Sequence, residues 1–314
     1  MTDKPHGIGG PGAAVVAGLS PYKTPLQYFY ELRGELPASP EETEAMEWGT
    51  ILEEPIAKKY ATLTGRTIRR QPPKLSPAHP FMRASIDYQV VNDPRGPGIL
   101  ECKNFGYWTG KSIKSLTDVP DHVYLQGQHY LAVYGYAWCS FALLIGGQHF
   151  VWFDVERHEA VIAKLIDLET AFWERVQRND PPPIDGSAQT AEILKQLYPQ
   201  DSGAIVTIDD AEGLSHALAY LEWKSKEKEA EAAKLAEENY LKDRLKEATK
   251  ALIPGFGEIT WKTAAPSRKE VLDVERFRAD QPDLYKKYLR VETKASGRRF
   301  LVKPDKALVP QEDV

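Results

Sequence analysis

Cysteine is nearly absent: Cys102 and Cys139 are the only two among 314 residues. So few thiols exclude a disulfide-stapled secreted scaffold and a four-cysteine zinc or iron–sulfur centre made by one chain, and they fit a reduced, cytoplasmic setting. Long apolar runs are missing too, so no membrane-spanning helix is expected. The opening MTDKPHGIGGPGAAVVAGLS has no basic flank followed by an apolar segment of signal-peptide length, which argues against export. A net charge of −5 excludes a uniformly basic nucleic-acid binder. What remains, with 42% apolar and 27% charged residues, is an ordinary globular chain long enough for a full-sized domain and a smaller one.

Acidic residues are also missing locally. Between Lys58 and Arg83 stand Lys58, Lys59, Arg66, Arg69, Arg70, Lys74 and Arg83, and not one Asp or Glu. Lys262 to Lys303 holds a second excess, twelve basic residues against six acidic. Such stripes are the footprint expected of phosphate contacts; the alternative is a solvated surface without acids. Gly and Pro are absent between Leu214 and Ile253, where leucines recur at roughly helical spacing among mixed charges. A single helix there would reach about 60 Å at 1.5 Å per residue. It would be an arm for oligomerisation or a partner, or a solvated helix folded back on its own domain.

Thr24 as N-cap, Pro25 at the first helical position and Gly34 as a stop predict a short helix. A second helix is predicted from Glu41 to Thr64, with Trp48, Leu52, Ile56, Tyr60 and Leu63 on one stripe and a kink or break near Leu52 imposed by Pro55. Strands follow at 67–70, 82–91 and 98–104. DHVYLQGQHYLAVYG reads as a helix closed by Gly135, WCSFALLIGG and HFVWFDVER as a strand hairpin, and 158–178 as an amphipathic helix. That order is an α/β domain whose sheet is covered on both faces. The expected division is 1–180 for this domain, 181–208 for a linker, and 209–314 for a long helix plus a small α+β module. In that module GEITWKTAAP and SGRRFLVK suggest strands, and Ser267 suggests a helix cap.

The chemistry concentrates in SIDYQVVNDPRGPGILECKNF, residues 85–105. In a strand Glu101 and Lys103 point one way and Cys102 the other, into apolar packing. If the two runs pair as a hairpin, Asp87 comes close to Glu101. Two carboxylates and the Cys102 backbone carbonyl make an all-oxygen site, the ligand set of magnesium or manganese. An adjacent ammonium can orient a water and stabilise charge developing on a phosphate, which suits phosphodiester hydrolysis. The plainer reading is an exposed Glu–Lys salt bridge.

Asp87 followed by Glu101-Cys102-Lys103 resembles the core signature of the PD-(D/E)XK nuclease superfamily, and within it the YqaJ-type viral recombinase family related to phage lambda exonuclease. Upstream, WGTILEEP resembles the family's Trp-Gly-Thr-x-x-Glu helix and places Glu53 as a further acidic residue. Downstream, Gln126 and Tyr130 match a Gln-x-x-x-Tyr helix, followed by LLIGG and by Phe172-Trp173. The likeness covers about residues 7–180, with the motifs in order. It implies a PD-(D/E)XK core, a central mixed sheet flanked by helices. It also implies metal-dependent exonucleolytic digestion of linear double-stranded DNA, 5′ to 3′, exposing single strands for an annealing protein in phage-type recombination. The implied setting is a bacterial host cell, and the implied assembly is a trimeric ring.

By the same resemblance Asp87, Glu101 and the Cys102 carbonyl hold Mg2+ or Mn2+ and Glu53 supports it. Lys103 positions the attacking water, and Gln126 and Tyr130 align the scissile strand. Arg83 and Ser85, on Asp87's side by period two, and Arg69, Arg70 and Lys74 from the basic stripe are expected to contact DNA. The family's Arg, spacer, Gly-Gly-Ser-Asp start is replaced here by Lys4 or His6 and GGPGAA, with Pro11 and Gly12 where Ser and Asp would stand. His79 and His129 either touch phosphate or a proton in transit or, the more common role for a histidine beside a site, serve as structural hydrogen-bonders. Tyr107 and Trp108 belong either to the core or to a base-stacking surface. Two other functions stay open: a RecB-like or endonucleolytic nuclease, and a non-catalytic DNA-binding or assembly module.

Overall fold

The computed structural model describes residues 7–37, 43–264, 269, 271–290 and 298–302. The chain divides into two compact units, Met1–Pro199 and Gln200–Val314. In the first, the helices are α1 (Gly10–Val16), α2 (Pro25–Leu32), α3 (Glu44–Thr64), α4 (Tyr107–Gly110), α5 (Asp121–Tyr134), α6 (Glu159–Arg178) and α7 (Ala188–Leu197). Its strands are β1 (Ile68–Arg69), β2 (Lys74–Leu75), β3 (Arg83–Ala84), β4 (Tyr88–Val90), β5 (Gly98–Phe105), β6 (Trp138–Ile145) and β7 (His149–Glu156).

Five strands form one sheet in the order β1-β4-β5-β6-β7. The central pair β5–β6 is parallel and every other pair antiparallel, so the sheet is mixed. α3 covers one face, where Ile56, Ala57 and Tyr60 pack with Leu100, Trp138 and Ala142. α5 covers the other, where Val123, Leu131 and Val133 join Ile99, Phe141 and Leu143. The protein is therefore α/β, a central mixed sheet flanked by helices, as the element order predicts.

Local chemistry explains most boundaries. Thr24 caps α2 by accepting from the Gln27 N–H, and Thr43 caps α3 by accepting from the Met46 N–H. Gly65, at φ 68°, lets the chain leave α3 in the left-handed region. Pro55 does not break α3: the helix runs unbroken from Glu44 to Thr64. An internal proline costs about 3 kcal/mol. Burying Ile56 and Tyr60, 3% and 0% exposed, returns about 1.5–3 kcal/mol each, so the packed helix survives. Trp48 and Leu63, expected on the buried stripe, are about half exposed instead. Residues 41 and 42 lie outside the described residues.

The strand predicted over 82–91 is two strands. β3 pairs with β2 in a separate ribbon, Leu75 opposite Arg83, while β4 enters the main sheet with Tyr88 opposite Leu100. The chain changes partners because the N-terminus captures its first half: the Ile8 N–H donates to Phe81 O at 2.7 Å and the Arg83 N–H to Ile8 O at 2.9 Å. Ser85, Ile86 and Asp87 therefore lie between strands, and alternation cannot relate Arg83 and Ser85 to Asp87.

Residues 188–197, inside the span read as a linker, form α7. Ser187 caps it, and Thr190 and Ile193 are buried.

The second unit holds α8 (Ala211–Leu245), β8 (Lys250–Ile253), β9 (Gly257–Thr260), α9 (Val274–Asp280) and α10 (Pro282–Tyr288). α8 is one helix of 35 residues, about 52 Å long at 1.5 Å per residue. It stops at Leu245 rather than Ile253, because 250–253 pair with 257–260 as a hairpin. Asp273 caps α9; Ser267 lies outside the described residues, and the described part of SGRRFLVK, 298–302, is not a strand. No helix among the described residues is long and apolar enough to cross a membrane.

Candidate active site

β4 and β5 pair antiparallel with Tyr88 opposite Leu100, so Asp87, just before β4, falls beside Glu101. Asp87 Oδ2 accepts a 2.7 Å hydrogen bond from the Cys102 N–H, which ties the carboxylate to the strand next to it. Glu101 is 3% exposed, and its Oε1 takes two donors: Gln126 Nε2 at 2.6 Å and Lys103 Nζ at 2.9 Å. Gln126 Nε2 also donates to Tyr130 Oη at 2.9 Å, one turn along α5, so Tyr130 holds the Gln126 amide that binds Glu101. Cys102 packs on the opposite side, against the core cluster that holds Ile56, Tyr60, Leu100 and Ala142, as strand alternation requires.

Burial sets the electrostatics. It is the main reason the Asp87 carboxyl is pushed up to about 8; the Glu101 charge adds to it and the Cys102 N–H opposes it. Glu101 is raised as well, by burial first, against the attraction of Lys103. For Lys103 burial pulls downward, but Glu101 outweighs it and the ammonium is held. Tyr130 is driven well above 10 by burial and then by Glu101, so its phenol is neutral.

Glu53 comes from α3, with Oε1 3.0 Å from Arg70 Nη2. It adds to the field that raises Asp87 and Glu101. Glu101 Oε2 is buried without a hydrogen-bond donor, a costly arrangement for an acceptor, and Glu53 Oε1, also buried, has only the Arg70 guanidinium beside it, ion-paired without a well-aligned hydrogen bond. Three clustered carboxylates, a buried setting that disfavours their charge and one orphaned acceptor fit a hard divalent cation. Among the described residues, however, no three His, Cys, Asp or Glu side chains stand at metal-ligand spacing. One oxygen each of Asp87 and Glu101 is engaged by protein donors, and Glu53 faces Arg70.

A pocket of about 460 Å³ adjoins this cluster, and Gly9, Lys23, Tyr28, Arg83, Lys103 and Gln126 are among its lining residues. GGPGAA forms the start of α1, an element the sequence did not announce. Its glycines are packing residues: a Cβ on Gly10 would sit 2.3 Å from the Tyr130 ring, and one on Gly12 2.3 Å from Tyr28 Oη. Arg83 reaches the same place, donating from Nε to Gly7 O at 3.1 Å. Lys23 was missed from sequence. It is ion-paired with Glu31, eight residues away across the helix start, a separation with no readable pattern.

The other proposed DNA contacts divide. Arg70 touches Glu53 and lies 4.7 Å over the Tyr88 ring, beside the cluster. Arg69 donates to Gln89 Oε1, and Lys74 lies at the far end of α5 over Tyr134, so neither is brought to the cluster. Ser85 is exposed. Arg66 is not a free cation at all: it pairs with Asp93 and Asp154 and stacks over Trp138. His79 packs against Phe81. His129 is fully buried, with Nε2 2.9 Å from Arg83 O and Nδ1 2.8 Å from Glu169 Oε1. Glu169, also fully buried, carried no sequence signal because its partner lies forty residues away.

A profile of the YqaJ-like viral recombinase domain matches residues 1–137. A Bacillus subtilis (strain 168) protein, YqaJ, is 30% identical over 307 residues, covering 96% of this chain and 93% of its own. Among solved structures, the chain is similar to an alkaline exonuclease from Laribacter hongkongensis (TM-score 0.48, 24% identity, 56% of this chain and 90% of that one). It is also similar to a phage-related exonuclease from Haemophilus somnus 129PT (TM-score 0.44, 14% identity, 55% and 94%). The Bacillus relative aligns along nearly the whole of both chains, and on that ground the protein belongs to the YqaJ-like viral recombinase family.

Proposed function

We propose that the protein is a divalent-cation-dependent deoxyribonuclease that digests linear double-stranded DNA from an end, 5′ to 3′, leaving single strands for an annealing protein in recombination. The observation that carries this reading is Glu101: buried, held at one oxygen by Gln126 and Lys103, and left without a donor at the other. Asp87, Glu101 and the Cys102 carbonyl would hold Mg2+ or Mn2+, with Glu53 in support, and the ion would supply Lewis acidity toward a phosphoryl oxygen and acidify a bound water.

The side chains divide the remaining work. The Lys103 ammonium positions the attacking water and offsets charge growing on the phosphate. Gln126, held by Tyr130, fixes the Glu101 carboxylate, and through it the pair aligns the scissile strand. Arg83 offers a cation at the pocket beside Gly9, where Pro11 and Gly12 provide no hydroxyl or carboxylate. In this reading Ser85, Arg69, Arg70 and Lys74 are backbone contacts of lower weight. Assembly as a ring, trimeric by family resemblance, is part of the proposal; the exposed leucines of α8, Leu214, Leu218 and Leu235, are surfaces that such an assembly or an annealing partner would cover.

The test is digestion of an end-labelled duplex, with and without a 5′ phosphate, in magnesium and in calcium, alongside closed circular DNA. Loss of label from the linear duplex in magnesium only is expected, with the circle untouched. Cleavage of the circle would favour an endonuclease. Lys103→Ala is expected to abolish digestion with an unchanged circular dichroism spectrum, and retained activity would reject the role given to Lys103.

A further inference from the structure

We propose that Tyr107 and Trp108 form a platform on which an unpaired DNA base stacks beside the active site; this rests on the nuclease reading above. Both rings are displayed to solvent, 60% and 77% exposed, and meet edge to face at 5.3 Å. Neither belongs to the core, which removes the packing explanation for two large aromatics side by side.

Their support is rigid. α4 is anchored from below by Gly110, whose missing side chain lets the turn close on Ile145 and Phe105; a Cβ there would lie 2.7 Å from Ile145. Ile113 is buried just beyond, and the Gly146 N–H donates to Phe105 O at 2.8 Å, tying the ends of β5 and β6 beneath the turn. The aromatic pair is thus held out by a packed base, which limits the entropy lost when a flat ligand stacks.

Charge selects the ligand. From Asn104 to Thr117 the chain carries Lys111 and Lys114 and no acid, and the carboxylate of the next residue, Asp118, is taken up by the Lys114 and Ser115 N–H groups. Lys111 and Lys114 are exposed, and Lys111 Nζ sits 4.2 Å over the Trp108 ring. Aromatic faces interleaved with ammonium groups suit a strand with π-faced bases and charged phosphates, whereas a second protein surface would have to supply acids. Reach agrees. Trp108 follows Lys103 by five residues, which span at most roughly 17 Å, so a base on the platform belongs to a strand engaged at the cluster.

The experiment compares the wild type, Trp108→Ala, Tyr107→Ala and Trp108→Phe in calcium, by anisotropy of a labelled single-stranded 12-mer and of an abasic 12-mer of equal charge. Wild type is expected to favour the base-bearing strand about tenfold. Trp108→Ala should lose most of that preference, Tyr107→Ala part of it, and Trp108→Phe should retain it. Equal preference in wild type and Trp108→Ala overturns the platform, as does a change of solution mass in Trp108→Ala, which would assign the rings to an interface between copies. Magnesium-dependent loss of duplex by the wild type tests the nuclease reading separately: a Trp108→Ala protein that digests DNA and keeps the base preference overturns the platform alone.

Discussion

His129 shows how much one side chain's surroundings decide. Its Nε2 faces a carbonyl, which only accepts, so Nε2 carries a proton; its Nδ1 faces Glu169 at 2.8 Å and donates when that group is ionised. Both side chains are fully buried, and the pair fastens α5 and α6 to the segment leading into Asp87. Burial lowers the imidazole's affinity for its proton, but Glu169 more than reverses this and the net shift is upward from 6.5. A histidine raised on folding contributes stability in full below about 6.5, and that contribution is lost as pH rises through the folded value. His129→Gln is expected to cost about 3–5 kcal/mol in urea unfolding, since it strands a buried carboxylate. Glu169→Gln keeps a neutral hydrogen-bonded pair and should cost less. In both variants the decline of stability above pH 6.5 should flatten; an unchanged pH profile would place the pair's worth in packing, not charge.

The elements around the cluster differ in how far they could be read in advance. Glu101, Cys102 and Lys103 were legible because alternation on a single strand is local and β5 is long enough to enforce it. The Gln126 and Tyr130 face was legible for the same reason, at helical spacing. The break at Ser85 was not, because it is decided by pairing with Ile8, more than seventy residues away. The survival of α3 through Pro55 was hidden too, since burial against a sheet formed later in the chain outweighs a local signal. α1 was missed because its glycines depress helix propensity. They are there for contact: α1 meets α5 where Gly10 faces Tyr130. Gly10→Ala is therefore expected to destabilise by about 1–3 kcal/mol through overpacking, despite the better helix former. It should also slow digestion by displacing Tyr130 and with it Gln126. Thermal unfolding and the rate of duplex loss, measured on one preparation, check this. A stabilised protein of unchanged rate would contradict the packing argument.

The two units of the chain are built by different physics. Among the described residues, the three apolar clusters of buried side chains lie within the first, from Ile8 to Val176, and so do the candidate site and its pocket. In the second, Leu245 is the one buried apolar residue among the described residues, while Leu214, Leu218, Trp223 and Leu235 stand exposed along α8. That helix is held by its own surface: Lys226 lies 2.5 Å from Glu222 and Lys242 2.5 Å from Glu238, each one turn away. Such exposed pairs contribute only about 0.3–0.5 kcal/mol apiece, enough to favour helix but not to make a cooperative fold. Residues 1–199 alone are therefore expected to unfold in a single transition within a few degrees of the whole protein, because those clusters are kept whole. Residues 200–314 alone should show helical circular dichroism that declines gradually on heating, since helix without a core lacks cooperativity. Calorimetry on the two fragments separates the cases: a sharp endotherm from 200–314 would mean that α8 finds a core of its own, in a second copy or in the hairpin that follows it.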